Sequence, residues 1–379
     1  MKKLLIAVSV FLCAVVVVLA QTARHYKHKS QHPFDVTISL NENTFRQKVE
    51  AGPPVWMREQ ISADLSAYKT GISKTMLDQL FRGSAVQGMN LVRFTVSQNK
   101  LSFSIDETKL NSRHFRHVLE AVKKLHQLAP LPDVDFILSL QDSIDQDIGA
   151  PLFVFAKHDR AKTLVLIPDF KALTGYPSLR EEISRGGQKF PWEHKVARAF
   201  WRGATTGGWL TAKTWEQIPR CKLALLSLVH PQLLDAKVNG IVQCDPEVPA
   251  LVQAKGILGR TVSQADHLKY KYLVDVDGNS CSFERLFWAL YSNSVVLKQV
   301  TPNIQWYYGA LRPYEHYIPV QEDLSDLITQ CQWALDHDAE ARQIAHNATE
   351  FIEQNLAVED VFLYLHTLLT EYSKLQKGV

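Results

Sequence analysis

The sequence has few cysteines and almost no excess of charge of either sign. Its 379 residues contain 42 lysines and arginines against 39 aspartates and glutamates, which gives a formal net charge of +3. No strongly basic domain stands out, so nucleic acid is not expected as a partner. With 46% hydrophobic and 21% charged residues, the chain is neither disordered nor a polytopic membrane protein. The length predicts two domains or lobes with a cleft between them.

The cysteines show neither a disulfide pattern nor a zinc pattern. None of them forms a CxxC pair, which zinc sites and redox motifs commonly use. We therefore expect reduced thiols, no bound metal and, as a mild inference, a reducing compartment. The five are Cys13, Cys221, Cys244, Cys281 and Cys331.

Only the N-terminus has a long apolar run. The uncharged stretch from Leu4 to Ala20 would span roughly 25 Å as a helix, a little less than the ~30 Å hydrocarbon core of a bilayer. Two interpretations remain for residues 1–22: a signal-anchor that contacts the membrane, or a cleaved signal peptide. Basic residues flank both ends, so the orientation stays open. Residues 23–54 are interpreted as a stalk or linker.

Short strands alternate with helices along most of the chain, which predicts parallel sheets and an α/β fold. Helical spacing covers 55–81 and 115–128, and 324–375 is nearly all helical. The turn-rich segment 175–190 is interpreted as a surface loop. Strands are predicted at 90–96, 101–105, 133–140, 151–156, 163–168, 197–201, 240–244, 272–276 and 295–298.

The familiar signatures of P-loop enzymes, dinucleotide dehydrogenases, α/β-hydrolases and zinc proteases are missing. Two glycine-rich junctions between a strand and a helix remain, and the first runs from Phe200 to Gly208. Glycines let backbone N–H groups turn toward an anion, hydroxyls add donors, and an arginine offers a planar cation. The candidate ligands are Arg202, Gly203, Thr205 and Thr206. The alternative is a tight turn with a surface arginine.

The second junction runs from Tyr272 to Arg285, where an apolar strand leads through Asp277-Gly278 into a helix. A serine at the helix N-cap and an arginine in its first turn would suit a diphosphate. The candidate ligands are Asp277, Gly278, Asn279, Ser280, Ser282 and Arg285. Two other interpretations remain. The serines could serve only the helix backbone, or Asp275 and Asp277 could form a metal-binding pair on one strand face.

Three further residues are candidates on weaker grounds. His267 and Lys271 lie just before the second strand, where a cation could meet phosphate or a nucleobase, although a solvated loop is the alternative. Asp142 follows a buried strand, and the C-terminal ends of strands face the ligand crevice in α/β sheets. A carboxylate there can act as a general base on a hydroxyl. Its alternative role is that of a turn or cap residue.

Together these motifs resemble glycosyltransferase family 90. This family includes eukaryotic protein O-glucosyltransferases and microbial sugar transferases that build capsule and lipopolysaccharide. The similarity extends from Val55 to the C-terminus. The segments that carry it are 200–207, 267–280, 294–299, 314–320 and 323–327.

The resemblance implies a GT-B architecture, in which two Rossmann-like lobes face a cleft and C-terminal helices return to the first lobe. It also implies inverting transfer from a nucleotide sugar, expected to be a UDP-sugar, without a metal or other cofactor. The implied boundaries are an acceptor-side lobe over 55–195, a nucleotide-sugar lobe over 196–345 and returning helices over 346–379.

The same resemblance assigns roles to residues. Arg202 and Arg285 would hold the diphosphate, Gly278–Ser282 would present backbone donors, and Asp142 would be the catalytic base. Glu284 looks like an extra residue before Arg285. The acceptor would be a glycan, a lipid-linked glycan or a protein hydroxyl. We expect a single-pass, membrane-anchored microbial enzyme with a cytoplasmic catalytic domain, with a lumenal location as the alternative. The competing class is a non-catalytic nucleotide-sugar or glycan-binding protein on the same scaffold.

Overall fold

The computed structural model describes residues 36–83, 88–110 and 112–378, and the compact body begins at Ile38. The signal or anchor segment predicted over 1–22 lies outside these residues and stays a prediction. Across the described ranges, no helix has both the length and the apolar character needed to span a membrane.

Helices and strands alternate as an α/β fold requires. The helices are α1 (Glu42–Ala51), α2 (Val55–Leu65), α3 (Lys74–Arg82), α4 (Arg113–Leu128), α5 (Pro177–Lys189), α6 (Pro219–Val229), α7 (Val248–Ala254), α8 (Gln264–His267), α9 (Glu284–Leu290), α10 (Leu327–Asp336), α11 (Asp338–Asn355) and α12 (Val358–Lys374). The strands are β1 (Ile72–Ser73), β2 (Leu91–Ser97), β3 (Lys100–Ile105), β4 (Val134–Ser139), β5 (Leu152–Val154), β6 (Lys157–His158), β7 (Leu164–Leu166), β8 (Val196–Ala204), β9 (Leu234–Gly240), β10 (Tyr270–Asp275), β11 (Val295–Gln299), β12 (Asn303–Ile304), β13 (Ile318–Val320) and β14 (Gln376–Lys377).

Two separate five-stranded sheets form the framework. The first has the order β3-β2-β4-β5-β7, with β4, β5 and β7 parallel to one another and β2 antiparallel to both neighbours. The second has the order β13-β11-β10-β8-β9 and is parallel throughout. The chain therefore forms two α/β halves, each with its own sheet, and the C-terminal ends of the parallel strands share one edge in each half.

The C-terminal helix packs against the first half of the chain. Helix α12 packs against α1, α2 and β4, and β14 pairs in parallel with β1. Phe45 of α1 is fully buried and meets Phe362 of α12 edge-on at 6.2 Å. Helix α1 thus belongs to the folded body, although it lies within the stretch interpreted from sequence as a stalk.

Three sequence-based assignments differ from the structure. The segment 175–190 is not a loop, because Pro177 suits the first turn of a helix and α5 buries Leu179 and Ile183 on one stripe. The strand predicted at 240–244 lies earlier, at β9. The helix predicted over 55–81 is interrupted at Gly71, whose φ is 106°, because β1 pairs there with the distant strand β14.

The two halves are joined by packed side chains beside their sheets. Tyr176 stacks on Phe287 of α9 with ring centroids 4.2 Å apart, and the Arg180 guanidinium lies 4.8 Å from the same Phe287 ring. Strand β12 pairs with β6, and so links the second half to the first. The junction of the halves is therefore a packed seam of α5, α9 and β12.

Candidate functional site

The two glycine-rich junctions meet each other at the C-terminal edge of the second sheet. The Gly207 N–H donates to Asn279 Oδ1 at 3.2 Å, and a Cβ on Gly207 would lie 3.2 Å from the Gly278 carbonyl oxygen. The φ of Gly207 is 117°, a conformation that side chains disfavour. The loops after β8 and β10, which are distant in sequence, thus form one surface.

Arg220, at the start of α6, ties these loops together. Its Nη1 donates to Thr206 Oγ1 at 2.6 Å and to the Ala204 carbonyl at 3.3 Å. Its Nε donates to the Asp277 carbonyl at 3.0 Å, and its Nη2 to the Val276 carbonyl at 3.1 Å. The sequence analysis missed Arg220, because no motif marks it and its role depends on a contact between two distant loops.

Arg285 lies beside this clamp. Its Nη2 donates to the Arg202 carbonyl at 2.6 Å, and the guanidinium lies 5.7 Å from the Trp201 ring and 5.9 Å from the Trp288 ring. Its Nε and Nη1 groups make no hydrogen bond to the described residues. Burial and then the positive charge of Arg285 lower the pKa of Arg220 to about 10. Burial likewise lowers the pKa of Arg285, and the carboxylate of Asp275 opposes this shift. The free N–H donors of Arg285, with the positive charge of Arg220 close by, suit a doubly charged anion such as a diphosphate.

The Arg202 side chain was expected to hold the diphosphate, but its guanidinium binds the neighbouring strand β9 instead. Its Nη2 pairs with Asp235 Oδ1 of β9 at 2.7 Å, and its Nη1 donates to the Asp235 carbonyl at 2.9 Å. The guanidinium also lies 4.3 Å from the centroid of the Phe200 ring. Arg202 would have to leave Asp235 to reach a diphosphate at the loops.

The serines of the second loop do not cap α9. The N-cap position is held by Phe283, and it makes no side-chain cap. The Ser282 hydroxyl instead donates to Asp275 Oδ1 at 2.5 Å, and Ser280 Oγ is buried without a partner among the described residues. The predicted serine N-cap was therefore wrong, although Arg285 does lie in the first turn of α9.

Asp275 and Asp277 point to different neighbours. Strand β10 ends at Asp275, so the alternation that would place both carboxylates on one face stops there. Asp277 Oδ2 accepts from Thr301 Oγ1 at 2.6 Å and from Asn303 Nδ2 at 3.1 Å, and burial raises its pKa. In the ranges that the structure describes, no group of three or more His, Cys, Asp or Glu side chains could hold a metal ion.

Two residues of the first loop have structural contacts. Thr205 is fully buried, and its hydroxyl both donates to and accepts from the backbone of Val242 at 2.9 Å. A Cβ on Gly203 would lie 2.5 Å from the Trp201 ring, so only glycine fits there.

Neither His267 nor Lys271 brings a positive charge to the glycine-rich loops. Lys271 Nζ pairs with Asp338 Oδ1 at 2.5 Å at the opposite end of β10, roughly 20 Å along the strand from Asp277. His267 is buried between Phe200 and Trp288, and burial lowers its pKa to about 4. Its Nδ1 donates to the Ser263 carbonyl at 2.8 Å. The ring is therefore neutral near pH 7, and a solvated loop is excluded for His267.

Asp142 lies exposed just beyond β4, at the edge of the first sheet where the parallel strands end. The neighbouring Leu140 carbonyl accepts from His114 Nδ1 at 2.9 Å, and the His114 ring stacks on Phe170 at 3.7 Å. The next residue, Lys171, pairs with Glu284 of the second half. This chain of contacts leads to the seam from Leu140, two residues before Asp142, whereas no direct contact joins Asp142 itself to the glycine-rich loops among the described residues.

Comparisons with known proteins add to this geometry. The sequence model of the family described as glycosyl transferase family 90 matches residues 53–378. The chain belongs to this family. It is 28% identical to protein O-glucosyltransferase 1 of Rattus norvegicus over 345 residues, which cover 83% of this chain and 79% of that protein. It is also 28% identical to protein O-glucosyltransferase 2 of Danio rerio over 330 residues, which cover 84% of this chain. The chain thus matches only 62% of the length of the Danio rerio protein.

Solved structures add little beyond this. A sucrose-phosphate synthase from Thermosynechococcus elongatus aligns at 12% identity over 71% of this chain and 64% of that chain, with a TM-score of 0.33. A score this low carries no argument. The mixed α/β fold therefore rests on the two sheets described above, and membership of the family rests on the sequence match over residues 53–378.

Proposed function

We propose that the protein is a UDP-sugar-dependent glycosyltransferase of GT-B type, which transfers glucose or a similar hexose or pentose to an acceptor hydroxyl with inversion. The observation that carries the proposal is the joined loop surface: Gly207 and Gly278 in contact, Arg220 tying the loops, and Arg285 beside them with free donors. The protein O-glucosyltransferases among its relatives support glucose as the sugar and a protein as one acceptor class, beside a glycan or lipid-linked glycan.

The chemistry follows from where charge develops. As the acceptor oxygen attacks the anomeric carbon, the bond from that carbon to the diphosphate oxygen breaks, and its electron pair stays on the leaving diphosphate. Fixed cations and N–H dipoles stabilise that charge, and we assign this role to Arg285 and the backbone of the two loops. In this proposal Asp142 takes the proton of the acceptor hydroxyl, which one base on the acceptor side must do in an inverting reaction.

Arg202 receives a supporting role. Its ion pair with Asp235 fixes the end of β8, and its carbonyl holds Arg285. A direct contact of Arg202 with the diphosphate remains an alternative within the same proposal.

The test is Asp142→Asn, with Asp145→Asn as the matched control, since both carboxylates are exposed on the same loop. We expect Asp142→Asn to abolish transfer while UDP-sugar affinity stays within about twofold of wild type, because the base acts only in the chemical step. The donor is identified by incubating wild type separately with UDP-glucose, UDP-xylose and UDP-galactose. The sugar nucleotide from which UDP is slowly released is the donor. Turnover at the wild-type rate in Asp142→Asn would contradict the role of Asp142 as the base. If wild type binds UDP-sugars but releases UDP from none of the three donors, a non-catalytic binding protein is favoured instead.

A further inference from the structure

A small cavity lies where helix α2 of the first half meets the segment after β11 of the second half. Its volume is about 260 Å³. Sites for drug-sized ligands usually measure about 300–1,000 Å³, so this cavity suits a ligand smaller than a whole UDP-sugar. The polar side chains in its wall are Gln60, Lys298, Thr301, Asn303, Gln305 and Tyr308.

Lys298, near the end of β11, is a buried cation in this wall. The residue is 5% exposed. Among the described residues its ammonium group makes one hydrogen bond, to the Gln299 carbonyl at 3.0 Å, and no ion pair. Its Nζ also lies 4.6 Å from the centroid of the Tyr308 ring. An ammonium group has three N–H donors, so Lys298 has donors left for an occupant of the cavity, and leaving them unused would cost free energy.

The same wall provides atoms that accept hydrogen bonds. Gln305 Nε2 donates to the Tyr308 hydroxyl at 3.0 Å, whereas Gln305 Oε1 has no partner among the described residues. Asn303 donates through Nδ2 to Asp277 Oδ2 at 3.1 Å, which leaves its Oδ1 to accept. A ligand that uses both the ammonium donors and the amide oxygens must accept and donate, as hydroxyl groups do.

The apolar part of the wall narrows the choice of ligand further. Val300, Ile304 and Leu311 also line the cavity, so hydroxyl groups on one side of a ligand would face polar atoms while C–H groups face these side chains. A sugar ring has both kinds of surface, and a single ring is much smaller than a UDP-sugar.

The cavity adjoins the second glycine-rich loop through Asp277. The Thr301 hydroxyl and Asn303 Nδ2 both donate to Asp277 Oδ2, at 2.6 and 3.1 Å, and Asp277 directly precedes Gly278. The Asp277 carbonyl in turn accepts from Arg220 at 3.0 Å. Two side chains of the cavity wall therefore hold the residue that leads into the loop.

From these contacts we infer that the cavity is a binding site for one sugar ring, and that Lys298 donates to the hydroxyls of that ring. The ring belongs either to a nucleotide sugar or to a separate sugar, since both present the same hydroxyls. The first case rests on the proposed function, because it requires UDP at the neighbouring loop. The second case does not depend on the nucleotide.

The test is Lys298→Met, which keeps the length of the side chain and removes its charged donors. UDP and UDP-glucose are titrated by calorimetry, and free glucose, xylose and galactose by ligand-observed NMR. We expect Lys298→Met to weaken binding of the ring roughly ten- to hundredfold, as expected for a lost hydrogen bond from a charged group, and to leave UDP affinity unchanged.

Lys195→Met is the matched control. Lys195 is also 5% exposed, but it directly precedes β8 and so lies at the opposite edge of the same sheet from the end of β11. Val300→Trp is the second variant, which should fill part of the cavity with little risk to folding, because Val300 is 45% exposed. Sugar binding should be intact in Lys195→Met and weakened in Val300→Trp.

The outcomes separate the two sources of the ring. Weaker binding of UDP-glucose with normal binding of UDP, in Lys298→Met and Val300→Trp alone, supports the site and assigns the ring to the nucleotide sugar. Loss of free-sugar binding with both nucleotide affinities intact supports the site and assigns it to a separate sugar.

Unchanged binding of UDP-glucose in both variants, together with no binding of a free sugar to wild type, overturns the inference while the proposed function stands. Equal losses for UDP and UDP-glucose in Lys298→Met also overturn it, because Lys298 would then support the loop and not the ring. If wild type binds neither UDP nor UDP-glucose, the proposed function is wrong, and the free-sugar titrations alone decide on the cavity.

Discussion

Replacing Arg220 tests whether the two glycine-rich loops form one functional surface. The guanidinium makes four hydrogen bonds, three to carbonyls and one to Thr206 Oγ1. Leaving a partly buried carbonyl without its donor costs about 1–3 kcal/mol, and water entering the space of the lost side chain would recover part of this. We therefore expect Arg220→Ala to lower the free energy of unfolding by about 3 kcal/mol, at roughly 1 kcal/mol for each carbonyl. For a chain of this size, that is a drop of roughly 4 °C in melting temperature.

The substitution should also weaken binding of the nucleotide. Without the clamp, the backbone N–H groups of the two loops lose their common geometry, so UDP affinity should fall by roughly tenfold or more, about 1.4 kcal/mol. Arg220→Lys keeps the charge but cannot bridge both loops, and should lose most of the affinity too. The assays are thermal unfolding and calorimetric titration with UDP.

The control is Arg342→Ala, which removes an exposed ion pair with Glu193 and should leave both the melting temperature and the UDP affinity nearly unchanged, because exposed ion pairs contribute little to stability. Normal UDP affinity in a folded Arg220→Ala variant would refute the reasoning, because the loops would then bind donor without being joined.

Two further predictions concern the same half of the protein. Gly278→Ala should reduce UDP affinity roughly tenfold, because its Cβ would lie 2.6 Å from Thr206 Oγ1 and 2.9 Å from Arg220 Nη2. Gly187→Ala is the control and should leave UDP affinity unchanged, because a Cβ at Gly187 would meet open space. Equal UDP affinities in the two variants would contradict the predicted effect of Gly278→Ala. Burial lowers the pKa of Lys195 from 10.5 to about 7, so between these pH values the unfolded state binds more protons and stability rises with pH. Wild type should therefore gain stability relative to Lys195→Met from pH 7 to pH 10 in denaturant titrations, and a constant difference would show that Lys195 stays charged when folded.

The sequence predicted local features of the site better than contacts between distant segments. The loops after β8 and β10 were recognisable, because glycines and hydroxyls at the end of an apolar strand are a local pattern. The position of Lys271 follows from strand length alone, since a residue at the start of a strand cannot meet a ligand at its end. Arg220 could not be predicted in this way, because it acts only through two loops that the fold brings together.

The direction of side chains was also beyond the sequence. Arg202 stands in the expected motif, yet its guanidinium pairs with Asp235 of the neighbouring strand, and that pairing depends on the register of β8 and β9. The neutral state of His267 follows from burial between two aromatic rings, which no spacing reveals. The sequence analysis interpreted the glycines and the proline of α5 as loop residues, and so it did not predict this helix. The helical spacing of Leu179 and Ile183, which are buried, is nevertheless visible in the sequence.

The central claim is that the joined loops bind a nucleoside diphosphate sugar through arginine and backbone N–H groups. Calorimetric titration of UDP-glucose into the full chain in EDTA-containing buffer tests it most directly. We predict saturable binding with one site per chain that EDTA does not change. Absence of binding, or binding that appears only when Mg²⁺ or Mn²⁺ is added, would contradict the claim.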